Sequence, residues 1–297
     1  MNQKIYNYYL SHPILKWLRH ESLISYPIDW FITIEKFFVY KPKALIQYIK
    51  TLPRQFGYND PRFLPLKRLK DKYAGKRCFV TCTGPSLTIE DLEMLKDEYV
   101  FGMNSICLIH NKTKWKPDFY AIQDSAVFDK LQETVKNTDN GLMFFPYSYK
   151  EKYGLSDNCV FFPICGKYHL WECYRLKKYF SRFSKDCYVR VWDGFSITMS
   201  IIQLAFYMGF DEIYLLGADC SYLGNKQHFI EHGHYTKSSA LAGDRLIKTY
   251  MDLKKFTDKN GLKVYNATRG GCLEVFERVN LDDVVKNNKK NKTCTYH

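Results

Sequence analysis

The strongest constraint on this chain is RCFVTCTGPSL, residues 77–87, whose residue types specify a strand, a sharp turn and a helix in immediate succession. The apolar run Cys78–Val80 is typical of a short buried strand. Gly84-Pro85 ends this strand, because glycine and proline interrupt regular pairing. A helix is expected to begin near Thr88, with Ser86 or Thr88 as its N-cap.

This strand–turn–helix unit is a candidate anion site. The first N–H groups of a helix have no partner within the helix, and the helix dipole adds partial positive charge at the same point. The turn residues Thr83, Gly84, Pro85 and Ser86 are therefore candidate ligands of a nucleotide or phosphate. The alternative is an ordinary corner between a strand and a helix, without a ligand.

Further short strands are expected along the chain. One expected strand covers Tyr99–Met103 and leads to Asn104, and another covers Asp118–Ile122 and leads to Gln123-Asp124. Two more are expected at Leu142–Phe145 and Val160–Pro163. Strands that alternate with helices predict an α/β fold with a Rossmann-like, mostly parallel sheet. Ligands of such sheets bind at the carboxyl ends of the strands, so Asn104 is a candidate nucleotide-binding residue and Asp124 a candidate catalytic residue.

A second informative block is DGFSIT, residues 193–198, followed by a helix and by the strand Glu212–Leu216. Ser196 and Thr198 stand where hydroxyl and N–H groups at a helix start can hold a phosphate. The strand leads to Asp219 at the carboxyl edge of the sheet. There Asp219 is either a functional carboxylate or a cap of its own loop.

Three histidines lie close together in QHFIEHGHY, residues 227–235. His228, His232 and His234 lack the spacing of a known catalytic zinc site, so we favour a loop that carries an acid/base imidazole. The alternative is a solvated loop whose histidines have no role.

The last strand of the pattern, Leu262–Tyr265, follows an amphipathic helix over Leu241–Asn260 and leads to Arg269, beside two glycines. Arg269 can reach an anion at the same edge of the sheet, or it can serve only to stabilise its turn.

Length and composition narrow the class of protein. A chain of 297 residues suggests one large domain with an appendage, and a net charge of +13 favours anionic partners. The ten cysteines are scattered without a C-x-x-C pair, which indicates free thiols, a reducing compartment and no structural metal. The sequence shows no secretory signal and no apolar run of about 18 residues, so a cytoplasmic protein without a spanning helix is expected.

Residues 1–70 form a predicted helical extension that is dense in aromatic and basic residues. Pro42 and other prolines divide it into short pieces, with helical spacing at Ile28–Tyr40 and Ala44–Leu52. Such helices suit a membrane interface. The alternatives are packing on the main domain or against a second subunit in a homo-oligomer.

Residues 71–284 are expected to form the Rossmann-like catalytic domain, and residues 285–297 a disordered basic tail. Within the domain, residues 164–190 mix aromatic and basic side chains. We favour a lid insertion over a nucleic-acid surface there, because no RNA-binding signature accompanies the mixture.

Taken in order, several motifs resemble the MptE-like 6-hydroxymethylpterin pyrophosphokinase family, in the branch found among bacterial surface-polysaccharide genes. The motifs are TGPSL, FGMNSI, DFYAIQD, MGFDEIYLLGAD, QHF and VYNATRGGCLEVFERV, within residues 70–284. More distantly, they are similar to bacterial lipooligosaccharide sialyltransferases, which use CMP-sialic acid and have a GT-A-type Rossmann-like domain without a metal-binding D-x-D. This chain has no D-x-D. Asn104 matches their nucleotide-contacting asparagine, whereas Thr83 replaces another asparagine.

The resemblance implies a metal-independent glycosyltransferase of lipopolysaccharide or capsule biosynthesis, without a cofactor. It would use a nucleotide-sugar donor, with CMP as the nucleotide, and a glycan or lipid-linked acceptor at the inner face of the cell membrane. His228 would be the general base, with His232 or His234 as alternatives, and Asp124 or Asp219 would orient the acceptor or the histidine. Without a metal, three side chains are candidates to meet the charge of the leaving phosphate: Tyr222, Tyr235 and Arg269.

Two other functions stay open at this point. One is pyrophosphoryl transfer that depends on Mg²⁺, with Asp124 and Asp219 as the metal ligands. The other is a non-catalytic nucleic-acid-binding protein, which would bind oligonucleotides with a steep dependence on salt.

Overall fold

The computed structural model describes residues 38–169, 180–221, 228–231 and 239–286, without the side chains of 239–242 and 244. These residues fall into two compact units, one of 38–50 with 167–169 and one of 51–166 with the described residues from 180 onward. None of the described helices combines the length and apolar character needed to cross a bilayer. The expectations for residues 1–37, for 170–179 of the lid insertion and for the tail from 287 lie outside the described residues.

The smaller unit is built on helix α1, residues 38–49. The Gln47 side chain on this helix accepts a hydrogen bond from the backbone N–H of Lys167 at 2.9 Å. The predicted break at Pro42 is wrong, because the helix continues through this residue. A proline removes a single helical hydrogen bond, and the good helix formers that follow, such as Ala44 and Leu45, continue the helix.

The larger unit contains an eight-stranded sheet in which every neighbouring pair is parallel. Its strands are β1 Arg77–Thr81, β2 Tyr99–Met103, β3 Phe119–Ala121, β4 Leu142–Pro146, β5 Val160–Phe162, β8 Glu212–Leu216, β9 Lys263–Asn266 and β10 Glu277–Arg278. Two further strands, β6 Ile164–Cys165 and β7 Val191–Trp192, pair with each other as a separate parallel sheet. The predicted α/β class is confirmed, and the sheet is parallel throughout.

The strand order β10-β9-β8-β1-β2-β3-β4-β5 places β1 near the middle of the sheet. From β1 the chain builds outward through β2 to β5, and it then returns to add β8 on the other side of β1. Arg77 of β1 lies opposite Glu212 of β8 in the register of this pair. The connections therefore reverse direction between β1 and β8, and such a point opens a crevice at the carboxyl ends of the strands.

The helices of the larger unit are α2 Leu52–Gln55, α3 Leu64–Lys67, α4 Ile89–Glu93, α5 Ser125–Asn137, α6 Ser148–Tyr153, α7 Ile197–Tyr207, α8 Ser239–Asn260 and α9 Leu281–Lys286. Helix α7 forms the centre of the core: all its residues except Phe206 are buried, and it packs on β1, β2 and β7. Its buried Gln203 donates to the carbonyl of Trp192 at 2.8 Å and accepts from the N–H of Ser184 at 2.9 Å. The buried amide is thus satisfied, and it connects α7 to the chain around β7.

The amino-terminal edge of the sheet is closed by a buried ion pair and by aromatic side chains. Arg77, 7% exposed, pairs with Glu98, 5% exposed, and its Nε lies 3.1 Å from Oε2 of the carboxylate. Tyr73 stacks on Phe210 with ring centroids 4.9 Å apart, and it meets Tyr99 edge-on at 5.1 Å. Burial raises the pKa of Tyr73 to about 12.

Candidate active site

A cleft opens at the carboxyl edge of the sheet, where the strand connections reverse direction. Its first compartment, about 580 Å³ of space open to solvent, is lined by the segment after β1, the end of β2, the start of α7 and the loop after β8. Most of the residues singled out from the sequence lie here: Thr83, Gly84, Pro85, Asn104, Ser196, Thr198, Asp219 and His228. The fold thus brings these strand ends together at one edge of the sheet.

The turn after β1 requires glycine at position 84. The N–H of Gly84 donates to the carbonyl of Gly217 at 2.9 Å, which ties the turn after β1 to the end of β8. A Cβ on Gly84 would lie 2.0 Å from Oδ2 of Asp219 and 2.4 Å from the carbonyl oxygen of Gly217. Any other residue would therefore force the two strand ends apart.

Asp219 holds this turn in place. Its Oδ2 accepts hydrogen bonds from the hydroxyl of Ser86 at 2.8 Å and from the N–H of Ser86 at 3.4 Å. Thr88 caps helix α4 in a capping box with Asp91, which leaves the Ser86 side chain available to Asp219. These contacts agree with one of the two interpretations of Asp219, in which its carboxylate supports the loop. The carboxylate also lines the cleft.

Asn104 has a strained backbone and a buried acceptor at the cleft. Its φ of +47° lies in the left-handed region, which asparagine adopts more readily than most residues. Among the described residues its Oδ1 is buried without a hydrogen-bond partner. Phe195 and Cys220, which also line the cleft, have φ values of +66° and +52°. Backbone strain of this kind costs free energy and concentrates at functional sites.

The start of α7 points into the cleft. Ser196 is the N-cap, and its hydroxyl accepts from the N–H of Thr198 at 3.3 Å. Thr198, 3% exposed, lies deeper, where its hydroxyl contacts the sulfur of Met103 at 3.6 Å. Ser196 is therefore the more accessible of the two hydroxyls that the sequence indicated.

A second compartment, about 1410 Å³ of open space, adjoins the first. Asn104, Ser196, Ile197 and His228 line both compartments. The backbone N–H of His228 donates to Glu231 at 3.0 Å, and the N–H of the next residue, Phe229, donates to the carbonyl of Thr83 at 2.8 Å. These bonds anchor the histidine segment on the turn after β1, where the two compartments meet.

Asp193 and Gln123 line the second compartment, and the sequence reasoning did not assign them a role. Oδ1 of Asp193 accepts from the amide of Gln123 at 3.0 Å and from the N–H of Phe195 at 2.9 Å. Ser200 in turn donates its hydroxyl to Oε1 of Gln123 at 2.5 Å. Burial raises the pKa of the Asp193 carboxyl. The sequence signal that could have identified them is their position: Gln123 comes after the carboxyl end of β3, and Asp193 comes after that of β7.

The remaining predicted site residues are placed as follows. Asp124 lines the second compartment, is exposed, and caps α5 through the N–H of Ala126 at 2.8 Å. Arg269 is not among the residues lining either compartment: its guanidinium pairs with Asp91 at 2.6 Å and Asp282 at 3.0 Å. This supports the turn-stabilising interpretation of Arg269. Four residues lie outside the described part of the chain: Tyr222, His232, His234 and Tyr235.

The cysteines of the cleft are protonated at neutral pH. Burial raises the pKa of Cys82 to about 11 and that of Cys220 to about 12. Since the thiolate is the reactive form, neither thiol is an activated nucleophile. Within the described residues, no three His, Cys, Asp or Glu side chains are grouped as a metal ion would require.

Comparison with solved structures gives distant similarities. Complexes of the sialyltransferase CstII from Campylobacter jejuni with CMP and with CMP-3FNeuAc match at 17% and 15% identity, each covering 69% of this chain and 85% or 86% of CstII. The MAf glycosyltransferase from Magnetospirillum magneticum AMB-1 matches at 16% identity over 74% of this chain and 38% of its own. All three have a TM-score of 0.42, which carries no argument about function.

Comparison of the sequence with families gives a clear result. No curated protein sequence matches the chain. A family model described as "6-hydroxymethylpterin diphosphokinase MptE-like" matches residues 55–225, which is more than half of the 297 residues and includes the turn after β1, Asn104 and Asp219. The family that the motifs indicated is thereby confirmed, and the chain belongs to the MptE-like family.

Proposed function

We propose that this protein is a glycosyltransferase that moves a sugar from a nucleotide-activated donor to a glycan or lipid-linked acceptor of a bacterial surface polysaccharide. The observation that carries the proposal is the meeting of two compartments at His228, Ser196 and Asn104. A transfer between two molecules needs both reactants on either side of one acid/base group. The likeness of the motifs to CMP-sialic acid-dependent enzymes favours CMP as the donor nucleotide.

The first compartment is suited to the nucleotide. The start of α7 directs the positive end of the helix dipole toward it, which favours a phosphate. Within the described part of the chain, no donor reaches the buried Oδ1 of Asn104. The ribose hydroxyls and the exocyclic amino group of a cytidine nucleotide are donors of the right kind. An unpaired buried acceptor costs about 1–3 kcal/mol, which such a nucleotide would recover on binding.

In the proposed reaction, the acceptor hydroxyl oxygen bonds to the anomeric carbon of the sugar, while the bond from that carbon to the phosphate oxygen breaks. The hydroxyl proton passes to His228, and CMP departs with the electron pair. Arg269 is engaged by two carboxylates, so the positive end of the α7 helix dipole meets the charge of the phosphate, assisted in our proposal by Tyr222 and Tyr235.

The second compartment is suited to a molecule rich in hydroxyl groups. Asp193 and Gln123 present oxygen and amide groups whose orientation is fixed by the bonds to Phe195 and Ser200. We assign them to sugar or acceptor hydroxyls, because carboxylates and amides accept hydrogen bonds from such groups. Asp124, at the rim, is a second acceptor in the same compartment.

The test is a thermal-shift panel with CMP, CDP, UDP, GDP and ATP, each with Mg²⁺ or with EDTA. A ligand that binds only the folded protein raises the melting temperature by mass action. The proposal expects stabilisation by CMP or CDP whether or not EDTA is present. If no nucleotide raises the melting temperature, the assignment of the first compartment is wrong.

Family membership favours one other function, a diphosphokinase that transfers pyrophosphate from ATP to a pterin alcohol. That chemistry depends on Mg²⁺ held by carboxylates. Of the two carboxylates considered as ligands, Asp219 lines the first compartment and Asp124 lines the second. One oxygen of each carboxylate already accepts a hydrogen bond from the protein. We therefore place this function second. Stabilisation by ATP only with Mg²⁺ would reverse the order.

A further inference from the structure

Helix α1 exposes its apolar side. Leu45 is 55% exposed, Ile46 52% and Ile49 49%, and Phe38, the first described residue of the helix, is 70% exposed. The less exposed residues lie on the opposite side of the helix: Tyr40, Ala44 and Gln47, the last of which bonds to Lys167. A helix in a soluble protein normally has the reverse arrangement, with the apolar stripe turned inward.

The charges of α1 are arranged around this apolar side. At 100° per residue, Phe38, Pro42, Leu45, Ile46 and Ile49 fall within an arc of about 100°. Lys41 lies beyond one boundary of the arc, and Lys43 and Lys50 lie beyond the other. An exposed apolar stripe with lysines along both sides is the pattern of a helix that lies in a membrane interface, where the stripe enters the acyl region and the ammonium groups meet lipid phosphates.

We propose that α1 docks this protein on an anionic phospholipid bilayer, with Leu45, Ile46 and Ile49 in the membrane and the flanking lysines at the headgroups. Charge complementarity selects this partner, because the net charge of the chain is +13 and a bilayer surface is the anionic partner that also takes up an apolar stripe. The inference does not depend on the proposed activity, since vesicle binding is measured without any substrate.

The test is flotation of the full chain with vesicles of mixed phosphatidylglycerol and phosphatidylcholine, and with vesicles of phosphatidylcholine alone. We expect binding to the anionic vesicles, weakened by added salt because the Debye length shortens. The double variant Ile46→Glu/Ile49→Glu should bind at least about tenfold more weakly, since affinity scales with the apolar area that enters the interface. Met251→Glu is the control: it places a single glutamate at an apolar residue of α8 that is 52% exposed, one charge where the double variant adds two, and it should bind as the unaltered chain does.

A second pair of variants tests the contribution of the α1 lysines to vesicle binding. Lys43→Gln/Lys50→Gln should weaken binding to anionic vesicles by about fivefold per lysine, and Lys112→Gln/Lys114→Gln, which changes two exposed lysines of the larger unit, should not.

Three results would overturn the proposal. The first is failure of the unaltered chain to float with anionic vesicles. The second is unchanged flotation of Ile46→Glu/Ile49→Glu together with a smaller mass in light scattering, which would make the stripe an interface with a second copy. The third is unchanged flotation with a lower melting temperature than Met251→Glu, which would mean that the stripe packs within its own chain.

Discussion

The amino-terminal and carboxyl edges of the eight-stranded sheet differ in backbone strain and in how well their buried polar groups are paired. At the amino-terminal edge, Arg77 and Glu98 neutralise each other, and aromatic rings fill the space beside them. At the carboxyl edge the backbone is strained at Asn104 and Phe195, and a buried acceptor has no hydrogen-bond partner among the residues that the structure describes. The same strands supply both edges.

The difference indicates where the fold gains stability and where it is prepared for a ligand. Satisfied polar groups and packed rings lower the free energy of the folded state, whereas strain and unpaired acceptors raise it until a ligand compensates. Substitutions at the amino-terminal edge should therefore change stability, and substitutions at the carboxyl edge should change binding or turnover.

The largest effect is expected at the junction of the two compartments. His228→Gln should lower the transfer rate by about 10²–10⁴-fold, the usual contribution of a general base, with little change in the thermal shift produced by CMP. Initial rates with saturating donor measure this effect. The control is His110→Gln, which alters an imidazole that bonds to Asn140 outside the cleft and should leave the rate per folded molecule unchanged. A rate for His228→Gln equal to that of the control would remove His228 from the mechanism.

The next effect concerns the opposite edge. Arg77→Met leaves Glu98 charged and buried, and loss of one partner of a buried pair costs about 3–5 kcal/mol. Urea denaturation should show this loss in the free energy of unfolding. The double variant Arg77→Met/Glu98→Met should recover most of it, because no buried charge remains. If the single variant lowered nucleotide affinity without loss of stability, the contrast between the edges would fail.

A smaller effect is expected from Gly84→Ala, whose Cβ would meet Asp219 and Gly217 at less than van der Waals distance. The turn must shift, and a misplacement of about 1 Å costs about 100-fold in the rate of a catalysed reaction. Initial transfer rates measure the loss, and titration with CMP followed by the melting temperature shows whether nucleotide binding is weakened as well. Gly270→Ala is the matched control, since its added carbon would only touch the Cβ of Ser86 at 3.8 Å. Equal behaviour of both alanine variants would argue against a ligand at this turn.

The smallest effect is a change in pH dependence at Asp193. Burial raises its pKa, so its contribution to stability is fully present below the unfolded pKa and is lost as the pH rises through the folded pKa. Asp193→Asn should therefore melt at a higher temperature than the unaltered protein at neutral pH and lose that advantage in acid. It should also raise the KM for one substrate by about tenfold, as loss of a charged hydrogen bond does.

Asp60 serves as the comparison, because its pKa is shifted in the opposite direction to that of Asp193. Hydrogen bonds from Arg62 and Arg54 hold the pKa of Asp60 below its usual value, so the stability it contributes is present above the unfolded pKa and is lost as the pH falls through the folded pKa. Asp60→Asn should thus destabilise most at neutral pH. Melting curves at a series of pH values compare the two variants, and parallel curves would contradict the assignment of Asp193.

The sequence was most informative where function depends on local patterns. Strands Tyr99–Met103 and Glu212–Leu216 were predicted with the observed bounds, and their polar successors Asn104 and Asp219 line the cleft. Short-range rules suffice there, because an apolar run and the one to three residues after it determine both the strand and the group that it presents.

Pairings between distant segments could not be predicted in the same way. Asp193 meets Gln123 only because β7 and β3 end near each other, and the short strands Ile164–Cys165 and Val191–Trp192 carry little periodicity of their own. Arg269 next to two glycines resembles an anion ligand in sequence, yet the fold brings Asp91 and Asp282 to it. Partner choice over such distances depends on the assembled fold.

The pairing of residue 77 with residue 212 has a consequence for the order of folding. During synthesis β1 to β5 emerge long before β8, so one side of β1, whose five residues are all buried in the finished protein, waits as an open strand edge. Open apolar edges favour aggregation, and contacts distant in sequence form slowly. The cleft, which needs both strands, is therefore completed only late in folding.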